Sequence, residues 1–203
     1  IDYAYKELLK MSIGVRQEDF FQSVSTFSLF DVNAAPITVS LEDKDYYPSF
    51  SSTLFLAGDN QFRLNYSETA TRPDFKELSP AQFKDPVLDR NVIGNPDLVA
   101  GQIKHYDLRW DKYFTPGEFV SVSLFYKQFF NPIELIILPG SSRIISFDNA
   151  QSAENLGIEL EVYKDFSFMN KVIDKEFWSD FYFSANYAYI QSEIVLGTDR
   201  PGG

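Results

Sequence analysis

Cysteine is absent from the 203 residues, and other residues that commonly carry metal or redox chemistry are scarce. The chain has 1 histidine and 2 methionines. Without thiols the sequence offers neither a disulfide scaffold nor a thiolate metal site. A chain without cysteine suits a periplasm-exposed protein and many cytosolic proteins equally well. The absence of cysteine excludes disulfides and thiolate metal sites, and it does not decide between the periplasm and the cytosol.

Long apolar runs are also lacking. The longest apolar stretch, residues 133–138, is interrupted by Glu134. It is far shorter than the roughly 20 residues that a helical membrane span requires. Residues 1–10 contain Asp2, Lys6 and Glu7 and do not have the continuous apolar core of a signal peptide. If this chain belongs to a membrane protein, the sequence predicts that it crosses the membrane with β-strands.

Positive charge is scarce relative to negative charge. Lys and Arg number 18 against 29 Asp and Glu, which gives a formal net charge of −11 and a pI of about 4.5. Such a surface repels phosphate backbones, so a nucleic acid is not a predicted partner. Acidic loops or an acidic lumen are compatible with cationic ligands, although acidic surfaces are usually only solubilising.

Aromatic residues, in contrast, are abundant. The chain has 20 Phe and 12 Tyr, and aromatics make up 17% of its residues. Phe and Tyr favour β-strands, and they also gather where a β-barrel meets the two membrane surfaces. The composition therefore favours an all-β protein.

Period-two alternation of apolar and polar residues is the strongest local pattern. It predicts about seven to nine strands, several of them close to the 9–11 residues that a tilted transmembrane strand needs. Their apolar positions are Met11 to Val15, Phe50 to Leu56, Phe62 to Tyr66, Tyr106 to Trp110, Val120 to Tyr126, Leu156 to Val162 and Phe181 to Tyr189, with a shorter hairpin through residues 133–138 and 144–147.

The predicted connections alternate in length. Residues 58–60 and 115–117 form tight turns, whereas residues 28–46 and 72–102 form long polar loops. Alternation of side chains alone fits a soluble sandwich as well as a membrane barrel. Outer-membrane barrels, however, combine short periplasmic turns with long extracellular loops. Residues 165–179 fall on the short-turn side yet are lengthy, so part of this segment is predicted to be helical or to extend the strands.

Several segments resemble the barrel region of TonB-dependent receptors. Residues 65–78 read NYSETATRPDFKEL, and that family shows a similar strand climbing into an extracellular loop. The resemblance continues in the same order through GNPDL, YDLRW, FYK, NPIE and NLGIELE, which begin at Gly94, Tyr106, Phe125, Asn131 and Asn155.

The resemblance implies an antiparallel transmembrane β-barrel fragment, part of a barrel of about 22 strands. Residues 1–203 would be a partial barrel without the plug domain and incomplete at both ends. It further implies an active-transport receptor of the bacterial outer membrane, surrounded by outer-membrane lipid. Such receptors bind TonB through an N-terminal region that this chain lacks. The substrate would be a scarce nutrient: a siderophore, haem, cobalamin or an oligosaccharide.

Two other functions stay open at this stage. A soluble β-sandwich that binds carbohydrate is the main alternative, and it requires the apolar faces to pack on each other. An outer-membrane enzyme barrel is less favoured, because His105 has no Ser–His–Asp pattern around it. An enzyme is not predicted. The sequence assigns no catalytic, cofactor or metal residue, and the ligand-binding residues are unknown.

Some polar residues are candidates for structural roles. Arg72-Pro73 and Asn95-Pro96 are predicted to shape loops, because proline ends ladder pairing and keeps its predecessor extended. Glu159 and Glu161 lie at i and i+2, so both are predicted to face the lumen as solvated lining or in salt bridges with Arg or Lys of neighbouring strands.

Other residues are weaker candidates for ligand contact. Asp85, Asp89 and the acidic cluster 42–45 could offer oxygen ligands to calcium, but they lack EF-hand spacing, and solvated loop charge is the favoured interpretation. The loop aromatics could stack on a sugar or siderophore, although girdle or loop packing is commoner; these are Phe75, Phe83, Tyr46 and Tyr47.

Overall fold

The computed structural model describes residues 1–27, 35–87, 89–115, 117–140, 144–170 and 176–197. These residues are almost entirely β-structure. The strands are β1 Asp2–Tyr5, β2 Leu9–Thr26, β3 Ile37–Leu56, β4 Asn60–Thr71, β5 Gln82–Asp85, β6 Arg90–Ile93, β7 Gly101–Thr115, β8 Glu118–Phe130, β9 Ile133–Ile137, β10 Ile145–Asn149, β11 Ser152–Asp165 and β12 Tyr182–Val195. The helices are α1 Phe75–Leu78 and the 3₁₀ turns η1 Ser167–Met169 and η2 Glu176–Asp180. No helix in the described ranges is both long and apolar enough to span a membrane.

Eight strands form one large sheet, here called the wall. Its order is β1-β2-β3-β4-β7-β8-β11-β12, and every neighbouring pair is antiparallel. The strands of the wall therefore follow one another in chain order. The pairs β5-β6 and β9-β10, here called the two excursions, lie in the connections between β4 and β7 and between β8 and β11. This confirms the predicted antiparallel architecture and the predicted hairpins β3-β4 and β7-β8.

One face of the wall is apolar in continuous rows. The register aligns Leu64, Leu108, Leu124 and Ile158 across four adjacent strands. These side chains are not covered by a second layer: Leu64, Leu108 and Leu124 are each more than 40% exposed. We call this the apolar face, and an uncovered apolar surface of this extent indicates contact with something other than water.

The apolar face is bounded along each strand by polar residues. On β8, Glu118 and Gln128 flank the apolar positions from Val120 to Tyr126. At about 3.3 Å per residue and a tilt of about 45°, the stretch between the two polar limits, Glu118 and Gln128, spans roughly 23 Å across a membrane. The value is close to the roughly 25 Å apolar band of outer-membrane barrels. Polar residues also bound the apolar positions of the neighbouring strands: Asn60 and Glu68 on β4, Lys104 and Lys112 on β7, and Glu154 and Lys164 on β11.

The opposite, polar face carries small and charged side chains, and Gly157 has a specific packing role there. Gly157 of β11 pairs with Phe125 of β8. A Cβ at this position would collide with the Phe125 ring. The aromatic ring therefore lies over the glycine and fills the space that its missing side chain leaves.

Strands β2 and β3 are far longer than a membrane crossing requires. They contain 18 and 20 residues, which at about 3.3 Å each is roughly 60 Å. The prediction of a loop over residues 28–46 was therefore wrong for 37–46, which belong to β3. Polar pairs hold this end together, such as Lys44 Nζ with Asp19 Oδ2 at 3.0 Å. Residues 28–34 lie outside the described ranges.

A smaller sheet is built from the two excursions, and we call it the loop sheet. Its order is β5-β6-β10-β9, with β6 and β10 parallel at Val92 and Ile145. Leu78, Val92, Leu98 and Ile145 form its buried core. The prediction of a loop without secondary structure over 72–102 was wrong, since α1, β5 and β6 lie there. The predicted hairpin β9-β10 is confirmed, but it belongs to the loop sheet and not to the wall.

Short turns lie at the end of the wall opposite the loop sheet. In the three-residue connection between β3 and β4, Gly58 and Asp59 have φ of 72° and 57°, a left-handed region that glycine and aspartate adopt more readily than most residues. Gly117 has φ of 92°, and its predicted turn partner Pro116 lies outside the described residues. The 165–179 segment contains η1 and part of η2, as predicted, and residues 171–175 are not described.

Replacing Gly157 tests the packing on the polar face. Gly157→Ala should destabilise the folded wall by about 1–3 kcal/mol, because the methyl group overpacks the Phe125 ring. The midpoint of urea unfolding, read in the intact protein by the gel shift of the folded band, measures this. Gly14→Ala, whose Cβ meets only the movable Ser49 hydroxyl, is the matched control. Equal midpoints for the two variants would contradict the packing argument, and Phe125→Ala should rescue Gly157→Ala.

Candidate functional site

A network of charged side chains crosses the polar face of the wall. Arg109 Nε contacts Asp111 Oδ1 at 2.7 Å, and Arg109 also reaches Glu161 Oε2 at 3.1 Å on β11. Arg63 of β4 lies 3.6 Å from the second oxygen of Asp111, whose side chain is fully buried. The network therefore links β4, β7 and β11. Removing either arginine would leave the buried carboxylate of Asp111 with less compensating positive charge.

The two glutamates predicted to share this face do so. Glu161 pairs with an arginine as predicted, but that residue, Arg109, belongs to β7, which is separated from β11 by β8, and not to an adjacent strand. Glu159 lines a cavity of about 350 Å³ beside Ser123, Asn186 and Ala188. Glu161 is held in an ion pair and Glu159 lines a cavity, so the two carboxylates are not arranged as an acid–base pair. We describe them as polar lining.

A larger cavity of about 560 Å³ lies on the same face, where the wall meets the loop sheet. We call it the loop-end cavity. It opens between α1, the start of β9 and the loop ends of the five wall strands β4, β7, β8, β11 and β12. Its lining residues are Thr71, Arg72, Asp74, Glu77, Ile103, Phe129, Pro132, Ile133, Glu134, Ala153, Asn155, Ser192 and Ile194.

The lining of the loop-end cavity is apolar at its wall and acidic at its rim. Ile103 and Phe129 come from the wall, whereas Asp74, Glu77 and Glu134 come from the loop segments. Like charges repel strongly where water is partly excluded, so three carboxylates disfavour a polyanionic ligand. The arrangement suits an organic ligand with apolar surface and a neutral or positive charge.

Among the described residues that line the cavity, Arg72 is the one cation, and its charge is already paired. Its NH2 group lies 2.7 Å from Glu18 Oε2 and 3.2 Å from Asp43 Oδ2. Its guanidinium also stacks 4.5 Å from the centre of the Phe20 ring. Burial alone lowers the pKa of Arg72, but the hydrogen bond and charge of Glu18 and the charge of Asp43 outweigh it and raise the pKa above its ordinary value. Arg72 therefore fixes the β2-β3 hairpin to the end of β4 and leaves little positive charge for a ligand.

The residues after Arg72 place two of the cavity's carboxylates. The carbonyl oxygen of Pro73 accepts a hydrogen bond from Gln22 Nε2 at 3.1 Å. Asp74 then starts α1 in a capping box: its carboxylate accepts from the Phe75 amide, and its own amide donates to Glu77 Oε2 at 2.8 Å. These contacts agree with the loop-shaping role predicted for Arg72-Pro73.

Asn95 joins the two excursions. Its amide donates to the Glu77 carbonyl oxygen at 2.6 Å, and its side chain donates to the Phe147 carbonyl oxygen of β10 at 3.0 Å. Gly94 beside it has no room for a Cβ, because three carbonyl oxygens at the end of α1 occupy that space. The segment from Gly94 to Leu98 thus holds α1 against β10, as the loop-shaping prediction for Asn95-Pro96 requires.

The remaining candidates lie elsewhere. His105 Nε2 is 2.9 Å from Thr69 Oγ1 on the polar face, outside the cavity. Phe75 and Tyr46 are exposed, Tyr47 is buried beneath Arg16, and Phe83 lies 5.8 Å from Lys76 Nζ. None of these four aromatics lines the loop-end cavity.

The acidic residues considered for calcium do not converge. Asp43 is paired with Arg72, Asp89 lies 2.7 Å from Lys84 Nζ, and Asp85 Oδ1 accepts from the Val87 amide. In the parts of the chain that the structure describes, no group of three or more His, Cys, Asp or Glu side chains is arranged to hold a metal ion.

Sequence reasoning missed the apolar residues of the cavity. Ile103 and Phe129 occupy positions of the polar face, so they break the alternation of β7 and β8 near the loop end. That break was the available signal: an apolar side chain in the polar register, close to a long connection, marks a place where the polar face is covered or occupied.

The full chain also matches a known family. A family model described as "TonB dependent receptor-like, beta-barrel" matches residues 2–203. The chain belongs to the TonB-dependent receptor-like β-barrel family. Outer-membrane barrels have an apolar side that faces lipid, and their longer loops lie at the extracellular end.

Solved structures show the same barrel fold. The siderophore receptor PirA from Pseudomonas aeruginosa is 13% identical with a TM-score of 0.60, covering 92% of this chain and 35% of that one. A double mutant of the Serratia marcescens hemophore receptor HasR is 11% identical with a TM-score of 0.54, covering 80% and 32%. PirA from Acinetobacter baumannii is 13% identical with a TM-score of 0.50, covering 90% and 27%. This chain spans about a third of the first two receptors. No curated protein matches it.

Replacing Arg72 tests its function as the link between β4 and the β2-β3 hairpin. Arg72→Ala should cost about 1–3 kcal/mol and loosen the hairpin, because Glu18 and Asp43 lose their shared cation. Limited proteolysis of the intact receptor should then cleave faster between β2 and β3. Lys44→Ala on the same hairpin removes an exposed ion pair and should change little. Equal protection of both variants would contradict the assignment.

Proposed function

We propose that this chain is part of the barrel of an outer-membrane active-transport receptor that imports a scarce nutrient. The observation that carries the proposal is the family match over residues 2–203. The bounded apolar band of the wall supports it independently, because its height fits the bilayer of an outer membrane. A siderophore, haem, cobalamin and an oligosaccharide are the candidate substrates, and the similar solved structures include receptors named for siderophores and for a hemophore.

In this proposal the chain supplies a rigid wall and part of the ligand site. Residues 1–203 form a partial barrel, and the loop-end cavity contributes one side of the extracellular binding region. Energy for transport comes from TonB, which acts through an N-terminal region outside this chain. Within the candidates, the acidic rim of Asp74, Glu77 and Glu134 favours a neutral or cationic molecule over a polyanion.

The soluble carbohydrate-binding sandwich is not favoured. A sandwich buries its apolar faces against each other. In the described residues, Leu64, Leu108 and Leu124 remain largely exposed in the middle of the wall, and the loop sheet does not cover them. The family match also describes a barrel and not a sandwich.

Membrane fractionation of the intact parent protein tests the proposal. We expect the protein in the outer-membrane fraction, with a folded band whose mobility shifts on boiling, because barrel strands stay paired in detergent until they are heated. Recovery in the soluble fraction with no shift would reject the receptor and favour the sandwich. Uptake of the nutrient should also be lost in cells without TonB.

Filling the loop-end cavity tests its part in ligand binding. Ile133→Trp places a large side chain in the cavity and should weaken ligand uptake about tenfold or more, equivalent to roughly 1.4 kcal/mol of lost binding. Leu135→Trp, two residues along β9 and outside the cavity lining, is the matched control. Normal uptake by the Ile133 variant, with both proteins folded in the membrane, would exclude the cavity from the ligand site.

A further inference from the structure

Strand β9 forms one edge of the loop sheet. It comes last in the order β5-β6-β10-β9, and within the described parts of the chain it pairs with β10 alone. Its hairpin with β10 continues the β8-β11 hairpin without a change of register. Strand β8 is paired on both sides, with β7 and β11, whereas its continuation β9 has one side without a strand. We call that side of β9 the free edge.

A bend at Asn131 separates the free edge from the wall. Asn131 has φ of 50°, and its carbonyl oxygen accepts a hydrogen bond from Asn149 Nδ2 at 2.7 Å. The Asn149 side chain also donates to the Val99 carbonyl oxygen at 3.2 Å and accepts from the Val99 amide at 2.9 Å. Because these bonds hold β9 in one position, a ligand would meet an edge that is already formed, which lowers the cost of binding.

The backbone groups directed toward the free edge belong to Ile133, Leu135 and Ile137. In an antiparallel pair, residues that exchange hydrogen bonds with the partner strand alternate with residues whose N–H and C=O point away from it. The amide of Leu138 donates to the Ile144 carbonyl oxygen at 2.8 Å, so the even-numbered residues of β9 form the bonds to β10. The N–H and C=O of the three odd-numbered residues therefore point outward, where no strand among the described residues pairs with them.

The free edge begins at the loop-end cavity. Three consecutive residues line the cavity there: Pro132, Ile133 and Glu134. Adjacent residues of a strand direct their side chains to opposite faces, so a strand that turned one face to the cavity would contribute alternate residues. The consecutive run indicates instead that β9 presents its edge. The outward N–H and C=O of Ile133 thus lie at the cavity, and those of Ile137 lie about 13 Å farther along the strand.

The free edge is matched by another extended backbone. Unpaired N–H and C=O groups at strand spacing form hydrogen bonds with a peptide that lies alongside, and the peptide then adds a strand to the sheet. A compact molecule would fill the cavity without using the edge beyond it. The direction of the backbone groups therefore specifies the class of ligand.

The two faces beside the free edge favour different side chains. On one face Ile137 lies opposite Ile145, and the exposed fraction rises from 9% at Ile145 to 63% at Ile137. The buried core of the loop sheet thus continues to an uncovered apolar position. On the other face Glu134 lies directly opposite Asp148, which places two carboxylates side by side. A ligand strand with apolar side chains on the first face and basic side chains on the second complements both.

We propose that the free edge of β9 binds an extended, positively charged peptide, one end of which enters the loop-end cavity. The inference rests on the proposed function and names its substrate class: the nutrient is a peptide or a compound built on a peptide backbone. Pairing at the edge uses backbone atoms. A side-chain replacement outside the cavity, such as Leu135→Trp, therefore leaves the edge in place.

A short fluorescent peptide in which valine and lysine alternate tests the inference on the intact receptor in detergent. With its valines on the apolar face and its lysines beside Glu134, its valine N–H groups point toward β9, because directly opposite residues of paired strands share a face. One version carries N-methyl groups on the valine amides and a control version carries them on the lysine amides. Both keep the charge and the side chains of the parent peptide.

We expect saturable binding, measured by fluorescence anisotropy, for the parent peptide and for the version methylated at lysine. The version methylated at valine should bind about tenfold more weakly, because it loses the hydrogen bonds to the edge. Equal affinities of the two methylated versions would overturn the proposal, since charge and side chains would then account for binding.

Ile137→Pro makes the matching change in the receptor. Proline removes an outward N–H that the pairing of β9 with β10 does not use, and Ile137 lies outside the cavity lining. Ile137→Ala removes the side chain and keeps the N–H. We expect the parent peptide to bind about tenfold more weakly to the proline variant and to lose much less affinity for the alanine variant. Equal affinities of the two variants would contradict pairing at the edge.

The remaining outcomes separate this inference from the proposed function. A receptor that is heat-modifiable and located in the outer membrane, but binds none of the peptides, would overturn the peptide ligand and leave the proposed function intact. The same result is expected if another loop of the receptor already pairs with β9. Recovery of the receptor in the soluble fraction would remove the proposed function and this inference together.

Discussion

The pairing of backbone amides and carbonyls between strands is the constraint on which this structure depends. In hydrocarbon an unpaired backbone group costs several kcal/mol, so a membrane wall made of strands must pair every strand with its neighbours. In the described wall, the six inner strands from β2 to β11 are each paired antiparallel on both sides, with one register shift between β7 and β8 at Tyr113 and Thr115. Once the register is set, alternation assigns each side chain to lipid or to lumen, and a slip of one residue would reverse every assignment.

The polar face can carry charged side chains because backbone hydrogen bonds between strands already hold the wall together. Asp111 is fully buried, yet Arg109 and Arg63 from two strands compensate it. Buried ion pairs contribute little net stability, but they fix geometry when their partners come from different strands. An ion pair also joins strands at the loop-sheet end of the wall, where Arg72 links the long β2-β3 hairpin to β4. Strand pairing holds the wall, and the ion pairs of Arg72 fix the position of the β2-β3 hairpin relative to it.

Local sequence patterns predicted the wall but not the parts that depend on distant partners. The β3-β4 and β7-β8 hairpins follow from alternation and from tight turns near Gly58 and Gly117, and both were predicted correctly. Residues 37–46 were missed although Ile37, Val39 and Leu41 alternate with polar residues, because polar side chains occupy both faces at 42–45 and pairing with β2 continues the strand through them. The loop sheet was missed because β6 has four residues and meets β10 through Val92 and Ile145, which are far apart in sequence. The apolar wall of the cavity was missed although Ile103 and Phe129 interrupt the alternation of β7 and β8.

The charge of the loop-end cavity follows from this division between wall and loops. Its apolar lining comes from polar-face positions of the wall and from Pro132 and Ile133 at the start of β9, and its carboxylates come from the capping box of α1 and from β9. Asp74 and Glu77 occupy their positions because they form the capping box of α1, and acidic groups stabilise the start of a helix. Their negative field at the cavity is therefore a consequence of how the loop folds. Because Glu18 and Asp43 already neutralise Arg72, a bound anion would need its positive partners from parts of the receptor other than this wall.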